Sequence, residues 1–243
     1  MTNFILALTI TERFTRAFLI QDRYVLYLRG LGNTLLIALF ALLIGVTVGV
    51  ILAMINYLHK KTGKLKLISR IINVYITIIR GTPVVLQLFI MYFIIFASSS
   101  NGILIGSITF GLNSSAYVAE IVRAGYESID DGQMEAGRSL GLSSTKTILY
   151  VITPQAVRNA LPPLFNEFIT IVKETAIVGY VGIMDLGKVP GLIQSRTFDY
   201  LFPLLIAASM YLAIVLLLTL CLRRLEKYFS KSDRNRGVNN AKS

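Results

Sequence analysis

The chain holds no tryptophan, one cysteine and one histidine in 243 residues, and Asp, Glu, Lys and Arg together reach only 15%. Each shortage removes a class of function. Cys221 alone allows neither an intrachain disulfide nor a cysteine-ligated metal. His59 alone allows no His cluster for a metal and no well-supplied Ser-His-Asp set. It follows an apolar run and precedes Lys60 and Lys61, so an interfacial side chain is expected there rather than a ligand. A soluble domain carries about 25% charged residues; this chain has too few to cover a water-facing surface. What it has instead is 54% hydrophobic residues, gathered in separated runs near the roughly 20 residues that a helix needs to cross a bilayer core. The expected class is one all-α integral membrane domain. MTNFILALTI has no basic stretch ahead of its apolar residues and no clean cleavage site after them, so no cleavable signal peptide is expected.

Five runs are read as spans: 30–58, 71–97, 103–122, 163–184 and 200–222. The first two exceed the minimum, so tilt or protruding ends are expected. Residues 4–28 mix Phe14, Phe18, Leu19 and Leu26 with Arg13, Arg16, Asp22 and Arg23, which suits an amphipathic segment lying on the membrane. The chain then divides into an N-terminal segment (1–29), a transmembrane domain (30–224) and a basic tail (225–243). Orientation follows from the basic residues. Sixteen of the 24 lie after spans one, three and five; six lie at the N-terminus and in the loop after span four; Arg80 and Lys173 lie within spans. The N-terminus is expected outside and the C-terminus in the cytoplasm. The net charge of +11 requires no nucleic acid, because basic cytoplasmic flanks suit anionic membrane lipid.

The cytoplasmic loop 123–160 is the longest connection and carries its own structure signals. Asp130 or Asp131 can cap a helix, Glu135 lies in its first turns, Gly141 can end it in the left-handed conformation, and Ser143 or Ser144 can cap a second short helix that stops before Pro154. GLSSTKT (141–147) imitates a phosphate loop but places Thr145 where that loop needs Gly, and no apolar strand feeds it. The chain is therefore expected to bind no ATP and no other cofactor.

Glu135-Ala136-Gly137, then Gly141, Val151 and Pro154, resembles the EAA loop of ABC-importer permeases, with Gly137, Val151 and Thr153 replacing Ala, Ile and Leu of the family pattern. IIRGTPVVLQ (78–87), SSAYVAEIVRAGYESI (114–129), GQMEAGRSLGLS (132–143), TPQAVRNALPPLFNEFI (153–169) and VKETAI (172–177) extend the resemblance over about residues 25–225. They look like permease subunits of the polar amino acid uptake group, the histidine, arginine and glutamine importers. The resemblance implies a multi-pass protein of a prokaryotic inner membrane that is not itself an enzyme. It would pair with a second permease chain, identical or related, with two cytoplasmic ATPase subunits that hold ATP and Mg, and with an extracytoplasmic amino acid binding protein. In such importers the EAA helix docks on the ATPase, which would make Glu135, Ala136, Gly137 and Gly141 the coupling residues.

Ionisable residues at membrane depth are expensive and normally face a cavity, a partner or the bundle interior. Arg80, Glu120, Lys173 and Glu174 lie at such depth. In Arg80-Gly81-Thr82-Pro83 the glycine bares backbone, the proline removes a donor and the threonine adds a hydroxyl. A break there could bind an amino acid carboxylate. Equally, Arg80 could simply pair with Glu120. Tyr117 and Glu120 share a helix face that could meet an ammonium or a cationic side chain. Gln87 falls on nearly the face of Arg80 if Pro83 leaves the helix straight. Glu174 is open between a ligand role and a structural one, Glu167 has a weaker claim, and Asn113, Ser114 and Ser115 add hydrogen-bonding capacity. Gly45 and Gly49 suit close helix packing, and 187–200 is expected to be an outer loop that suits contact with a binding protein or merely connects. The acidic groups lean towards a basic amino acid. The alternatives are an ion-coupled secondary transporter, for which an internal repeat is wanting, and a channel or scaffold, which gives the EAA-like loop no purpose.

Overall fold

Long apolar runs leave their backbone groups only one another to bond with, and here they wind into helices. A computed structural model describes residues 9–240. Residues 1–8, at the start of the expected amphipathic segment, and Lys242 in the tail lie outside the described residues, as do the side chains of residues 61, 62, 225 and 228–240. Helix α1 (Ile10–Phe18) starts at Thr9, which exchanges cap bonds with Glu12. Gln21 and Asp22 take left-handed backbone conformations and turn the chain into α2 (Arg23–Thr62). There follow α3 (Lys66–Gly81), α4 (Val84–Ile90) with a π-helical turn Met91–Ile95, and α5 (Gly102–Glu127). Then come α6 (Gly132–Ser139), α7 (Ser144–Thr147) with a second π turn Ile148–Ile152, and α8 (Thr153–Glu174). A 3-10 segment Thr175–Val181, α9 (Val189–Thr197) and α10 (Leu201–Asn240) complete the described chain.

The all-helical expectation holds, and the span count changes. Stretches of α2, α5 and α10 are each long and apolar enough to cross a membrane, and the bent pair α3–α4 makes a fourth. The expected fourth span, 163–184, is not one helix: α8 begins at Thr153, carries Pro162 and Pro163 internally, and gives way after Glu174 to the 3-10 segment, which closes at Gly182 with φ +83°. Pro154 does not stop the preceding helix. It sits in the first turn of α8, directly after the π turn Ile148–Ile152, where the winding changes. Residues 189–197, expected in a loop, form α9, with Val189, Pro190 and Ile193 buried.

Contacts group the chain into two units. The first takes the chain up to Ile44, Thr82–Leu112 and Thr170–Leu216; the second takes Gly45–Gly81, Asn113–Ile169 and the chain from Leu217. Lipid gives helices no hydrophobic reason to associate, so packing rests on close approach at small residues. In the first unit a Cβ on Gly111 would lie 2.7 Å from Ile44, and one on Gly30 would lie 2.8 Å from the Asp185 carbonyl. Tyr27, Leu186, Val189, Ile193 and Ala207 form its core. In the second unit a Cβ on Gly49 would lie 2.6 Å from Val118 and 2.7 Å from the Ser115 carbonyl, which is the close packing expected of Gly49. Ala53, Ile72, Ile76, Ala116, Val118 and Ala119 fill that core. Leu204, Leu205, Leu212, Leu216, Leu217 and Leu220 of α10 stay exposed, as a lipid-facing surface would be.

Candidate functional site

In the second unit, α3 ends at Arg80, a cation in the last turn where the helix dipole favours it. Its Nη1 lies 3.5 Å from Glu120 Oε2 on α5, and its guanidinium sits 5.2 Å from the centre of the Tyr117 ring. Glu120 Oε2 also accepts from Arg123 at 2.6 Å; Arg123 donates to Glu127 at 2.8 Å; Lys60 of α2 donates to Glu127 at 3.1 Å. Arg80, Glu120, Arg123, Glu127 and Lys60 thus form a ladder of alternating charge. A cavity of about 540 Å³, lined by Asn56, Lys60, Asn73, Glu127 and Asp131 among others, opens beside its lower rungs. Asn113, Ser114 and Ser115 are buried, and Ser115 bonds to Tyr75 at 2.8 Å, so at least that hydroxyl ties α5 to α3.

The helix does not run straight past Pro83. α3 closes at Gly81, Pro83 is extended at φ −61° and ψ 130°, and Gln87 donates to the Thr82 hydroxyl at 2.8 Å and its carbonyl at 3.3 Å. The condition that would have set Gln87 on the face of Arg80 therefore fails, and its amide instead ties down the break. Gly81 has open space where a Cβ would stand.

In the first unit, Glu174 is the half-buried last residue of α8 and caps the 3-10 segment. There the C-terminal end of one helix, unfavourable to a carboxylate, meets the N-terminal end of the next, favourable to it. Among the described residues the Glu174 carboxylate has no hydrogen bond and no salt bridge, and the neighbouring charge that acts on it is that of Lys173. A few residues on, Asp185 is fully buried. Its Oδ1 accepts from the Lys188 N–H at 2.9 Å, and its Oδ2 accepts from the Gly187 N–H at 2.8 Å and the Tyr211 hydroxyl at 3.2 Å. Burial pushes its carboxyl up to about 6, against the opposing pull of those donors.

The loop after α5 folds as a helix, a tight turn and a second helix. Gly141, at φ +82°, lets the Leu142 N–H reach the Gly137 carbonyl at 3.1 Å and its own N–H reach the Arg138 carbonyl at 3.0 Å, which closes α6 in a Schellman motif. Ser143 caps α7. Gly137 is buried against Thr147, whose Cγ2 would lie 2.4 Å from an added Cβ, while Glu135, Ala136 and Leu140 face outward. A knob with an exposed face is thereby set on a rigid turn. Residues 45–232, which include it, match the family described as binding-protein-dependent transport system inner membrane component. The chain belongs to this family.

The permease is 36% identical over 203 residues to a protein of Rickettsia typhi named for glutamine transport, covering 82% of this chain and 91% of that one. It is 35% identical over 209 residues to the arginine transport system permease protein of Bacillus subtilis, covering 85% and 93%. A solved structure, the crystal structure of an amino acid ABC transporter with histidines, superposes with a TM-score of 0.78 at 39% identity, over 84% of this chain and 94% of that one. The permease is thus the multi-pass inner membrane component of a bacterial ABC transport system and not its catalyst. Its family implies ATPase subunits and a binding protein as partners.

Sequence reasoning missed Asp185 and Tyr211. The signal was available, since Asp185 is a lone acid in the apolar stretch YVGIMDLG, but ending span four at residue 184 put it in a loop where an acid raises no question. It also missed the clamp on α1, where Arg13 donates to Asp199 at 2.7 and 2.9 Å and stacks 5.1 Å over the Phe202 ring. That pairing raises the Arg13 pKa and holds Asp199 below the usual carboxylate range.

Proposed function

We propose that the permease passes polar amino acids inward across the membrane, and that Glu174 is the group that meets their ammonium. The observation that carries this is the contrast between its two deep carboxylates. Glu120 is held between Arg80 and Arg123, whereas the Glu174 carboxylate has no such partner among the described residues and stays half-buried at the junction of α8 and the 3-10 segment. A carboxylate kept under those conditions has a use for a cation that arrives and leaves. Because Glu120 is neutralised, the lean towards a basic side chain now rests on Glu174 alone, and relatives named for glutamine as well as arginine favour polar amino acids as the class.

Within the second unit, Arg80 keeps about two-fifths of its side chain exposed, and its 3.5 Å contact to Glu120 is loose enough to yield to a substrate carboxylate over Tyr117. Gly81 leaves open space beside Arg80 at the end of α3; Gln87 acts by holding Thr82 in the break that follows. Glu135 and Ala136 form the surface offered to an ATPase; buried Gly137, by its close approach to Thr147, and Gly141, by its turn, act by shaping that surface. The working assembly is two permease chains and two ATPase subunits, which hold ATP and Mg, fed by an extracytoplasmic binding protein. The N-terminus lies outside and the C-terminus inside, with the interrupted α8 and its 3-10 segment serving as the fifth crossing.

The test is uptake and ATP hydrolysis by the complete transporter in liposomes across the polar amino acids, with Glu174→Gln and a Glu135→Ala, Gly141→Leu double variant. Uptake that needs ATP, requires a higher substrate concentration in Glu174→Gln and stops in the double variant supports the reading. Uptake driven by an ion gradient without any ATPase would overturn it.

A further inference from the structure

Asp185 is the one fully buried carboxylate among the described residues, and nothing assigned to the transport step uses it. Its surroundings come from four elements of the first unit. From α2, Thr34 accepts the Leu186 N–H at 3.1 Å and Asn33 donates to the Met184 carbonyl at 2.6 Å. From α10, Tyr211 bonds to the carboxylate, and the hydroxyls of Thr34 and Thr175 face the same phenol. From the start of α9 come the N–H groups of Gly187 and Lys188, the Lys188 side chain being exposed. From the 3-10 segment, Gly179 approaches so closely that a Cβ there would lie 3.3 Å from Asp185 Oδ1, and a Cβ on Gly187 would lie 3.0 Å from the Ala176 carbonyl. The titratable groups facing Asp185 are therefore Tyr211 and, by its backbone, Lys188.

Thr175, which Tyr211 meets, is fully buried and directly follows Glu174. A rigid path thus runs from the Asp185 carboxylate through Tyr211 to the first residue of the 3-10 segment. We infer that Asp185 is a positioning residue for import: it fixes the turn 182–188 and, through Tyr211 and the 3-10 segment, holds the Glu174 carboxylate where substrate meets it. This rests on the reading of Glu174 as a substrate group. The ionised form does the holding, because Oδ2 then accepts from both Gly187 and Tyr211. A proton on the carboxyl must be donated somewhere, and Tyr211 is the partner able to reverse its bond.

The experiment uses the complete transporter in liposomes with L-arginine and L-glutamine as probes, and compares wild type, Glu174→Gln, Asp185→Asn, Tyr211→Phe and the Glu174→Gln, Asp185→Asn double variant at pH 5.5 and 7.5. At pH 7.5, Asp185→Asn raises the half-saturating concentration about tenfold, with the maximal rate changed far less, and Tyr211→Phe raises it about threefold. The double variant is no worse than Glu174→Gln, because the two changes act on one group. The wild-type half-saturation rises as pH falls to 5.5, and that of Asp185→Asn does not. Should the asparagine variant fail to assemble, Tyr211→Phe carries the same comparison. If Glu174→Gln raises the half-saturation while Asp185→Asn and Tyr211→Phe only lower the yield of assembled transporter, the positioning role is overturned and the substrate reading stands. If Glu174→Gln changes nothing, both fall.

Discussion

In the second unit each charge from Arg80 to Lys60 faces an opposite charge, and the five side chains remain 29–70% exposed. In the first unit Asp185 is wholly buried and is satisfied by two backbone N–H groups and a phenol rather than by a cation. Partly exposed ion pairs are worth under about 1 kcal/mol each, and a side chain can trade one partner for another. A buried acid on fixed neutral donors has no second choice, and each donor left unmet costs about 1–3 kcal/mol. The same chemical groups therefore make an adjustable contact in one unit and a fixed one in the other. A transporter needs both: helices whose side chains can re-pair, and a frame that does not shift while they do so.

The fixed half breaks most severely. Asp185→Ala leaves the Gly187 and Lys188 N–H groups and the Tyr211 hydroxyl without the carboxyl they bond to, and at pH 5, where the acid is already mostly neutral, no relief of buried charge compensates. The assembled transporter in detergent should lose about 4 kcal/mol of unfolding free energy. A loss below about 1 kcal/mol would show that the turn does not depend on the carboxylate.

The next effect is a dependence on pH with a definite sign. Burial raises the folded pKa of Asp185 to about 6 from an ordinary 3.8. The folded state therefore binds the proton more tightly than the unfolded chain. The stabilisation is fully present below about pH 4 and is lost as pH rises through about 6, on the order of 3 kcal/mol in all. Wild type should lose stability relative to Asp185→Asn across that window. Parallel curves would mean that the carboxyl is hydrated. The form that positions Glu174 is then the less stable one, a trade expected where function sets the chemistry.

How far these features were legible in advance follows from what a run of residues can report. α2, α5 and α10 were readable because a helix in lipid needs only length and apolarity, and the turn at Gly141 was readable because a left-handed residue after a short helix calls for glycine. The interruption after Glu174 was not, since nothing local in KETAIVGYVG marks a change from α to 3-10 winding. Arg80, Tyr117 and Glu120 were identified by depth and spacing, and their meeting is observed. Arg123, Glu127 and Lys60 were passed over because each looked like an ordinary flank charge until α2 and α5 were brought side by side. Asp185 required knowing which residues close over it from α2 and α10, and that information is spread over almost 180 residues.

Gly137 sharpens the comparison, because the knob in the second unit is fixed by close approach where the ladder is loose. In Gly137→Val the new side chain meets Thr147 at a distance no Cβ tolerates, and Thr147 is buried. Overpacking of about 2 kcal/mol should speed hydrogen exchange of the amides from Leu140 to Thr147 about thirtyfold, with the ladder unchanged. Exchange at the wild-type rate would show that the turn yields easily and that the knob is no more rigid than the charges beside it.

The smallest effect is the one on which the contrast depends. Lys60 is 70% exposed, and Glu127 keeps its 2.8 Å bond to Arg123 when Lys60 is gone. Lys60→Met should therefore change the unfolding free energy by no more than about 0.5 kcal/mol and lose even that at high salt. Arg123→Met removes a rung that serves both Glu120 and Glu127, and should cost about 1 kcal/mol. The order matters more than the values. If Lys60→Met proved as damaging as Asp185→Ala, the ladder would be a buried, fixed network in the assembled transporter, and Arg80 would be held too firmly to leave Glu120 for a substrate carboxylate.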